Sequence, residues 1–283
     1  MQDPWVGELS EGEILSAILR ELGPSAAEVG PGDDAAVLTA SDGRVVATVD
    51  TLVHGPDFRL AWSSGFDLGW KAAAVNLADI AAMGARPTSL LVALAMPDAT
   101  RLSFVVDLAR GLRAGCEALA PGCVVEGGDL TVSDVLTVAV TALGTLEGRP
   151  AVRRSGARPG DVVAATGRLG DAARGLRLLF DRFRDAAGNP VPVDRADLTA
   201  DEARELDAQL RPAPGITDGV RAALAGATAM MDLSDGLVLD AGRMAAASGV
   251  TLDLRRDALG PHRRRARRRG EARASPRRRA LRR

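Results

Sequence analysis

The first half of the chain alternates between helical and strand-like patterns of hydrophobic residues. Apolar residues at helical spacing predict helices at 11–22, with Ser10 as the N-cap, at 64–83, with Ser64 or Asp67 near its N-terminus, and at 100–119. Apolar runs predict strands at 35–39, at 44–49, at 89–95, around Val124 and at 135–143. The first two strands flank a turn, so we expect them to pair as a hairpin. The mixed order predicts an α+β fold with helices on one face of a mainly antiparallel sheet.

The second half begins near Arg149, and a polar connector rich in glycine and proline at 153–161 marks a candidate domain boundary. Beyond it, the pattern predicts strands at 162–165, 230–232 and 251–254, and helices around 171–181, 201–210, 216–225 and 236–248. We therefore predict an N-terminal domain at 1–148 and a C-terminal α/β domain at 149–257.

The hydrophobic pattern stops in the last segment, 258–283, which holds 12 arginines and one acidic residue. Such a composition cannot build a core, so we predict a disordered tail or a tail read in a shifted frame, with an incomplete C-terminal domain before it. Residues 1–257 hold 24 basic and 36 acidic residues. We expect no nucleic-acid partner for this acidic part, because binding a phosphate backbone needs clustered cations. A non-catalytic protein that binds polyanions through its tail is the alternative from a different functional class.

Five short segments carry aspartates where the hydrophobic pattern breaks. They lie at 32–36, 49–51, 76–79, 127–129 and 232–236. Carboxylates that follow strands can meet at one edge of a sheet, and the predicted hairpin would bring Asp34 beside Asp50. Magnesium takes oxygen ligands and is often shared between a few carboxylates and the phosphates of a substrate. The pattern therefore predicts a magnesium-dependent enzyme that handles phosphates.

Each of these segments also has a purely conformational explanation. Glycine and aspartate are common in turns, and Ser234 or Asp235 would serve as a helix N-cap. Asp79 is more informative, because a carboxylate within an alanine-rich helix costs stability unless it is paired or bound to a metal. His54 is more simply explained as an exposed loop residue, and 166–171 lacks the Gly-Lys-Ser/Thr ending of a P-loop.

Together these segments resemble the thiamine-monophosphate kinases, a family in the superfamily of aminoimidazole ribonucleotide synthetase and selenophosphate synthetase. The motifs that carry the resemblance are GDDAAVL (32–38), VDTLVHGPDF (49–58), KAAAVNLADIAAMGARP (71–87), GGDL (127–130), RRSGARPGD (153–161) and MDLSDGL (231–237). The resemblance implies the two-domain synthetase-like kinase fold and a homodimer joined through the N-terminal domains. It also implies ATP as co-substrate, several magnesium ions, and phosphorylation of thiamine monophosphate.

The resemblance also implies roles for individual residues. Candidate magnesium ligands are Asp34, Thr48, the carbonyl of Val49, Asp50, Asp79, Asp129, Asp232 and Asp235. Candidate nucleotide contacts are Gly128, Asp129, Arg154 and Ser234, and Asp57 stands where some members have a substrate-contacting histidine. No general base is expected, because the acceptor phosphate is already largely dianionic at pH 7. The later Gly-Gly-Glu-Asp motif of the family is absent, which predicts weak transfer by the chain as written.

Further features bound the location and the alternatives. The start has no basic and apolar signal segment, and no run approaches the ~20 apolar residues of a membrane span, so we expect a cytoplasmic protein. Cys116 and Cys123 are too few for a zinc site and are expected to be buried thiols. A selenophosphate or ribonucleotide synthetase is the alternative within the superfamily, although the N-terminal cysteine and lysine of the selenium enzyme are not seen.

Overall fold

The computed structural model describes residues 3–29 and 36–255 and confirms the α+β class. The strands are β1 (Val46–Val53), β2 (Arg86–Met96), β3 (Val124–Val132) and β4 (Thr137–Thr145). The helices are α1 (Glu11–Leu22), α2 (Gly65–Ala82), α3 (Leu102–Leu119), α4 (Asp171–Arg182), α5 (Ala200–Leu210), α6 (Ile216–Leu224) and α7 (Leu237–Ser248). Short 3-10 turns lie at Val6–Glu8 and Arg154–Gly156.

The four strands form one mixed sheet in the order β1-β4-β2-β3. β4 pairs antiparallel with β1 and with β2, whereas β2 and β3 run parallel because α3 connects them. The prediction of a mainly antiparallel sheet is therefore confirmed. β1 and β3 are the two edge strands, at opposite sides of the sheet.

The predicted hairpin between 35–39 and 44–49 is wrong. β1 pairs with β4, which follows it by more than 80 residues, and Val37 makes an isolated bridge to Val29 instead. A long apolar partner strand was available elsewhere in the chain, and pairing with it gives β1 a continuous ladder. Asp34 lies outside the described residues, so its predicted position beside Asp50 stays a prediction.

Helices α2 and α3 cover one face of the sheet. The covered face is apolar, and Val138, Val140 and Ala142 of β4 are completely buried beneath the helices. α2 begins at a capping box in which the Ser64 hydroxyl accepts from the Asp67 amide, as the sequence predicts. It ends before Gly84, whose φ of +73° would strain any other residue.

The second half of the described chain is helical. All four predicted helices form, but the strands predicted at 162–165, 230–232 and 251–254 do not. A strand needs a ladder of hydrogen bonds to a neighbouring strand, and among the described residues these segments form none, although the Met230 amide donates one bond to the Arg153 carbonyl at 3.3 Å. Val162, for example, is 91% exposed.

These later helices pack onto the first half through a few large side chains. α4 and α5 form a second apolar cluster around Trp62, whose indole Nε1 donates to the Phe183 carbonyl at 3.0 Å. Residues up to Leu252 form one compact unit, and the chain from Asp253 onward is a separate unit. The proposed functional division at 148/149 stays a prediction, and the tail predicted at 258–283 lies outside the described residues.

Two further sequence predictions concern cysteines and membranes. Cys116 and Cys123 are both buried and free of disulfides, as expected. Within the described ranges, none of the helices has the length and hydrophobicity that crossing a bilayer requires.

Candidate functional site

Polar side chains of edge strand β1 and helix α2 face one another, and the region that they line is called the acidic groove below. The register places Thr48 and Asp50 on the helix-facing side of β1, in line with buried Ala142 and Val140 of β4. The Thr48 hydroxyl donates to Asp79 of α2 over 2.9 Å. The Thr48 hydroxyl is therefore a direct hydrogen-bond partner of the carboxylate in the alanine-rich helix.

Several carboxylates in this groove influence one another. Burial is the main cause that raises the pKa of Asp79, and the nearby charges of Asp232 and Asp50 raise it further. The pKa of Asp50 is also raised, first by desolvation and then by Asp232 and Asp57. Like charges that raise each other's pKa in this way form a site that a cation would stabilise.

Arg154 lies at one end of this acidic row. Its guanidinium is 3.7 Å from Asp232, and it lowers the pKa of Asp79 as a minor contribution. The turn that carries it is held tightly, because Ser248 at the end of α7 donates to the Arg154 carbonyl over 2.7 Å. A Cβ on Gly156 would lie 1.8 Å from the Thr228 carbonyl, so only glycine permits this approach.

The loop at 232–236 is shaped by a residue that the sequence analysis missed. Asp240 in the first turn of α7 is completely buried, and its Oδ2 accepts from the amides of Ser234, Asp235 and Gly236 at 3.0–3.1 Å. Neither Ser234 nor Asp235 caps the helix, since Gly236 holds the N-cap position without a side-chain bond. Acids are common in the first turn of a helix, so the sequence alone carries no specific signal for this anchor.

The opposite end of the groove holds Asp57 and Lys71. Asp57 accepts from the Val53 amide over 2.8 Å, just beyond the end of β1. Its charge raises the pKa of both Asp50 and Lys71, in the latter against the larger lowering by burial, so it lies near both groups. His54 is exposed and its ring lies against Phe58, with 5.6 Å between ring centroids, in agreement with the simpler explanation.

Gly128 and Asp129 lie on the other edge strand of the sheet, away from this groove. Both are within β3 rather than after it, because the edge strand continues to Val132. Across the sheet, Asp129 is in register with Ala93, Ala139 and Thr51, which puts it on the face opposite Asp50. Three strand spacings separate the two edges, about 14 Å. Within one chain, Asp129 therefore does not meet the carboxylates of β1 and α2, and its assignment as a magnesium ligand stays a prediction.

The donor set of the groove suits a hard cation. Thr48, Asp50, Asp79 and Asp232 supply only oxygen atoms, whereas Val49 presents its side chain to the other face and offers only its carbonyl. Within the described residues, no three acidic or metal-binding side chains are grouped closely enough to hold a metal by themselves. Magnesium does not require such a cage, since it keeps several waters and takes phosphate oxygens.

The chain is similar to proteins of known family along most of its length. The model of the AIR synthase related protein family, N-terminal domain, matches residues 32–146. A thiamine-monophosphate kinase of Corynebacterium glutamicum is 40% identical over 261 residues, which cover 91% of this chain and 74% of that protein. A crystal structure of a thiamine-monophosphate kinase from Stenotrophomonas maltophilia K279a is 37% identical, with a TM-score of 0.70, and the match covers 85% of this chain and 73% of that one.

A further solved structure contains ligands. AaThiL in complex with AMPPCP and TMP is 33% identical, has a TM-score of 0.65, and matches 86% of this chain and 71% of its own. Sequence identity, coverage and fold agree with the family that the sequence motifs indicate. The chain belongs to the thiamine-monophosphate kinase family.

Proposed function

We propose that this chain transfers the γ-phosphoryl group of ATP to thiamine monophosphate, giving thiamine diphosphate and ADP. The observation that carries the proposal is the acidic groove between β1 and α2, which holds family motif residues and has a cation at each end, Arg154 and Lys71. A relative that is 33% identical over most of the chain was solved with an ATP analogue and TMP.

The reaction needs positioning more than it needs a proton acceptor. An oxygen of the acceptor phosphate attacks the γ-phosphorus, and the bond from this phosphorus to the bridging oxygen breaks as ADP leaves with the electron pair. The acceptor phosphate is largely dianionic at pH 7, so no side chain has to remove a proton. In this proposal Arg154 and the Ser234 loop bind the nucleotide, and Asp57 lies at the acceptor end.

We propose Mg²⁺ as the cofactor of this groove. Thr48, Asp50, Asp79 and Asp232 are the described residues that would hold it, with Asp34, Val49, Asp129 and Asp235 as further candidates. A bound magnesium ion neutralises phosphate charge and fixes the relative geometry of donor and acceptor. The mutual repulsion of the groove carboxylates supports this assignment.

A second copy of the chain is the proposed partner. The face of the sheet opposite α2 and α3 has no covering helix among the described residues, and it carries small and apolar side chains at Ala93, Ala139 and Val49, which is 63% exposed. We propose a homodimer through this face, in the cytoplasm. Asp129 points to the same face, so pairing of two copies would bring it into the interface region.

A coupled assay tests the activity directly. We expect magnesium-dependent formation of ADP and thiamine diphosphate with thiamine monophosphate, and no turnover of selenide or of a ribonucleotide acceptor. Turnover of selenide without turnover of thiamine monophosphate would overturn the proposal in favour of the alternative synthetase. The same assay measures how far the missing Gly-Gly-Glu-Asp motif weakens transfer.

The metal assignment has its own experiment. Asp50→Asn keeps the side-chain volume and removes a charge, so we expect at least about tenfold weaker ATP binding in magnesium, or 1.4 kcal/mol, and little change in EDTA. Asp181→Asn is the control, because Asp181 is 62% exposed on α4. Calorimetry in both buffers gives the answer, and equal ATP affinity for Asp50→Asn and the control would reject Asp50 as a ligand. The same change at Asp129 tests the role of the opposite sheet face.

A further inference from the structure

Lys71 is a chemical exception in this protein. It is the only lysine among 36 basic residues, all the others being arginines. It lies on the partly buried stripe of α2 that also carries Asp79, eight residues later. Two turns of helix separate them, about 12 Å along the axis. Lys71 therefore lies in the same groove as the carboxylates but toward its other end.

The positive charge of the Lys71 ammonium group has no direct partner among the described residues. Lys71 is partly buried and makes no hydrogen bond or ion pair with any residue that the structure describes. Burial lowers its pKa, and the nearby Asp57 carboxylate opposes this shift without touching it. A charge held partly out of water without a direct partner costs stability, and an alanine would fit the neighbouring pattern of α2 without that cost.

The simple structural explanation is that the lysine stem covers apolar surface while its end reaches water. That explanation predicts no preference for this position, whereas Lys71 lies near the Asp57 carboxylate and on the same stripe of α2 as Asp79. Each of these charges influences the next one along the groove. Lys71 ends this row opposite Arg154, where an anion arriving from outside would find a cation that forms no ion pair with any described residue.

We propose that Lys71 binds the phosphate group of thiamine monophosphate and holds it at the acceptor end of the groove, an inference that rests on the proposed kinase activity. Arg154 and the Ser234 loop bind the nucleotide at the other end. The phosphates of ATP and the phosphate of thiamine monophosphate are therefore held by cations at opposite ends of the groove. Lysine fits this half-buried position better than arginine, because its ammonium group is compact and the forked guanidinium group of arginine needs more space.

Steady-state kinetics of Lys71→Met, with Lys71→Arg beside it, test the proposal. Methionine keeps the length of the side chain and removes the charge, so we expect the KM for thiamine monophosphate to rise about 10- to 100-fold while the KM for ATP changes less than about threefold. Lys71→Arg should recover part of the loss because it restores the charge. Arg177→Met on α4, where Arg177 is 82% exposed, is the matched control and should leave both KM values unchanged.

Two kinetic outcomes would overturn the assignment. A raised KM for ATP with an unchanged KM for thiamine monophosphate would assign Lys71 to the nucleotide, and unchanged values for both would leave only a structural role. Thermal unfolding of Lys71→Met should occur at the same or a higher temperature than that of the unaltered chain, because a desolvated charge is removed. A loss of folding would show as a lower unfolding temperature, and partial recovery in Lys71→Arg would then carry the test.

Direct binding separates this inference from the proposed activity. Calorimetric titration of thiamine monophosphate into the unaltered chain and Lys71→Met needs no turnover. If the unaltered chain binds thiamine monophosphate but does not phosphorylate it, the kinase proposal fails, and weaker binding by Lys71→Met still supports the Lys71 site. Equal binding by both chains, or none by the unaltered chain, would overturn it.

Discussion

The negative charge of Asp79 is unfavourable in the folded protein, but the proposed magnesium site requires it. Its pKa is raised by burial and by neighbouring acids, so the folded chain loses stability as the pH rises through this raised pKa and the group ionises. Asn can still accept from the Thr48 hydroxyl. We therefore expect Asp79→Asn to stabilise the metal-free protein at pH 7 by up to about 1 kcal/mol after solvent screening, while weakening magnesium-dependent ATP binding.

The sign of this effect depends on pH. Below the ordinary carboxyl pKa of about 4, Asp79 is protonated in both the folded and the unfolded chain, so the advantage of Asn should vanish. Urea unfolding in EDTA at neutral and acidic pH measures it. A destabilised Asp79→Asn at pH 7 would show that Asp79 is stabilised by its surroundings and not held for a cation.

Single residues were predictable where their chemistry conflicted with the local pattern. Asp79 stood out because a charge in an alanine-rich helix needs a reason, and the structure supplies Thr48 and the groove. Asp240 did not stand out, since an acid in a first helical turn is ordinary, and only the path of the loop reveals its three amide partners.

At the scale of elements, Asp240 sets the shape of the loop before α7. One carboxylate oxygen of Asp240 accepts hydrogen bonds from three backbone amides, and the other pairs with Arg243. The neutral side chain in Asp240→Asn cannot make both sets of interactions. We expect a loss of at least about 2 kcal/mol in the free energy of unfolding and weaker nucleotide binding through a disordered Ser234 loop. Asp218→Asn is the control, because Asp218 makes only a surface pair with Arg221 and should change stability by less than about 0.5 kcal/mol. Equal effects in the two variants would contradict the anchoring role.

Glycine residues allow helices α2 and α3 to pack closely against each other. A Cβ on Gly69 would lie 2.0 Å from the Leu108 carbonyl, and one on Gly111 would lie 2.1 Å from the Phe66 carbonyl. Gly69→Ala should therefore destabilise the protein by about 1–3 kcal/mol or more by forcing the helices apart. Gly12→Ala in α1 meets nothing within 4 Å and should stabilise it by up to about 1 kcal/mol. Denaturant midpoints of the two variants should move in opposite directions.

The elements themselves were predictable where local signals were sufficient. Periodicity and the Ser64 cap identified α2 to within two residues at each end, because a helix satisfies its own backbone. Strand pairing could not be derived in the same way. The partner of β1 lies far along the chain, and the segment 162–165 has a strand composition without a partner.

At the scale of the whole molecule, the proposed homodimer depends on the sheet face that no helix of the described residues covers. We expect sedimentation at micromolar concentration to show a dimer rather than a monomer of 29.4 kDa. Ala93→Glu places a charge on this face beside Asp129 and should shift the equilibrium toward the monomer. Val162→Glu adds the same charge at a 91% exposed position away from the sheet and should leave the dimer intact. A monomeric unaltered chain would contradict the proposed interface.

Because the protein has a single lysine, an amine-reactive reagent can label this side chain selectively. Acylating reagents attack neutral amines, and a lowered pKa leaves more of Lys71 in that form than of an ordinary lysine at the same pH. Apart from a free α-amino group, no other amine side chain competes. A fluorophore or isotopic acetyl group can therefore be attached inside the groove without mutagenesis, and the rate of labelling reports how open the groove is.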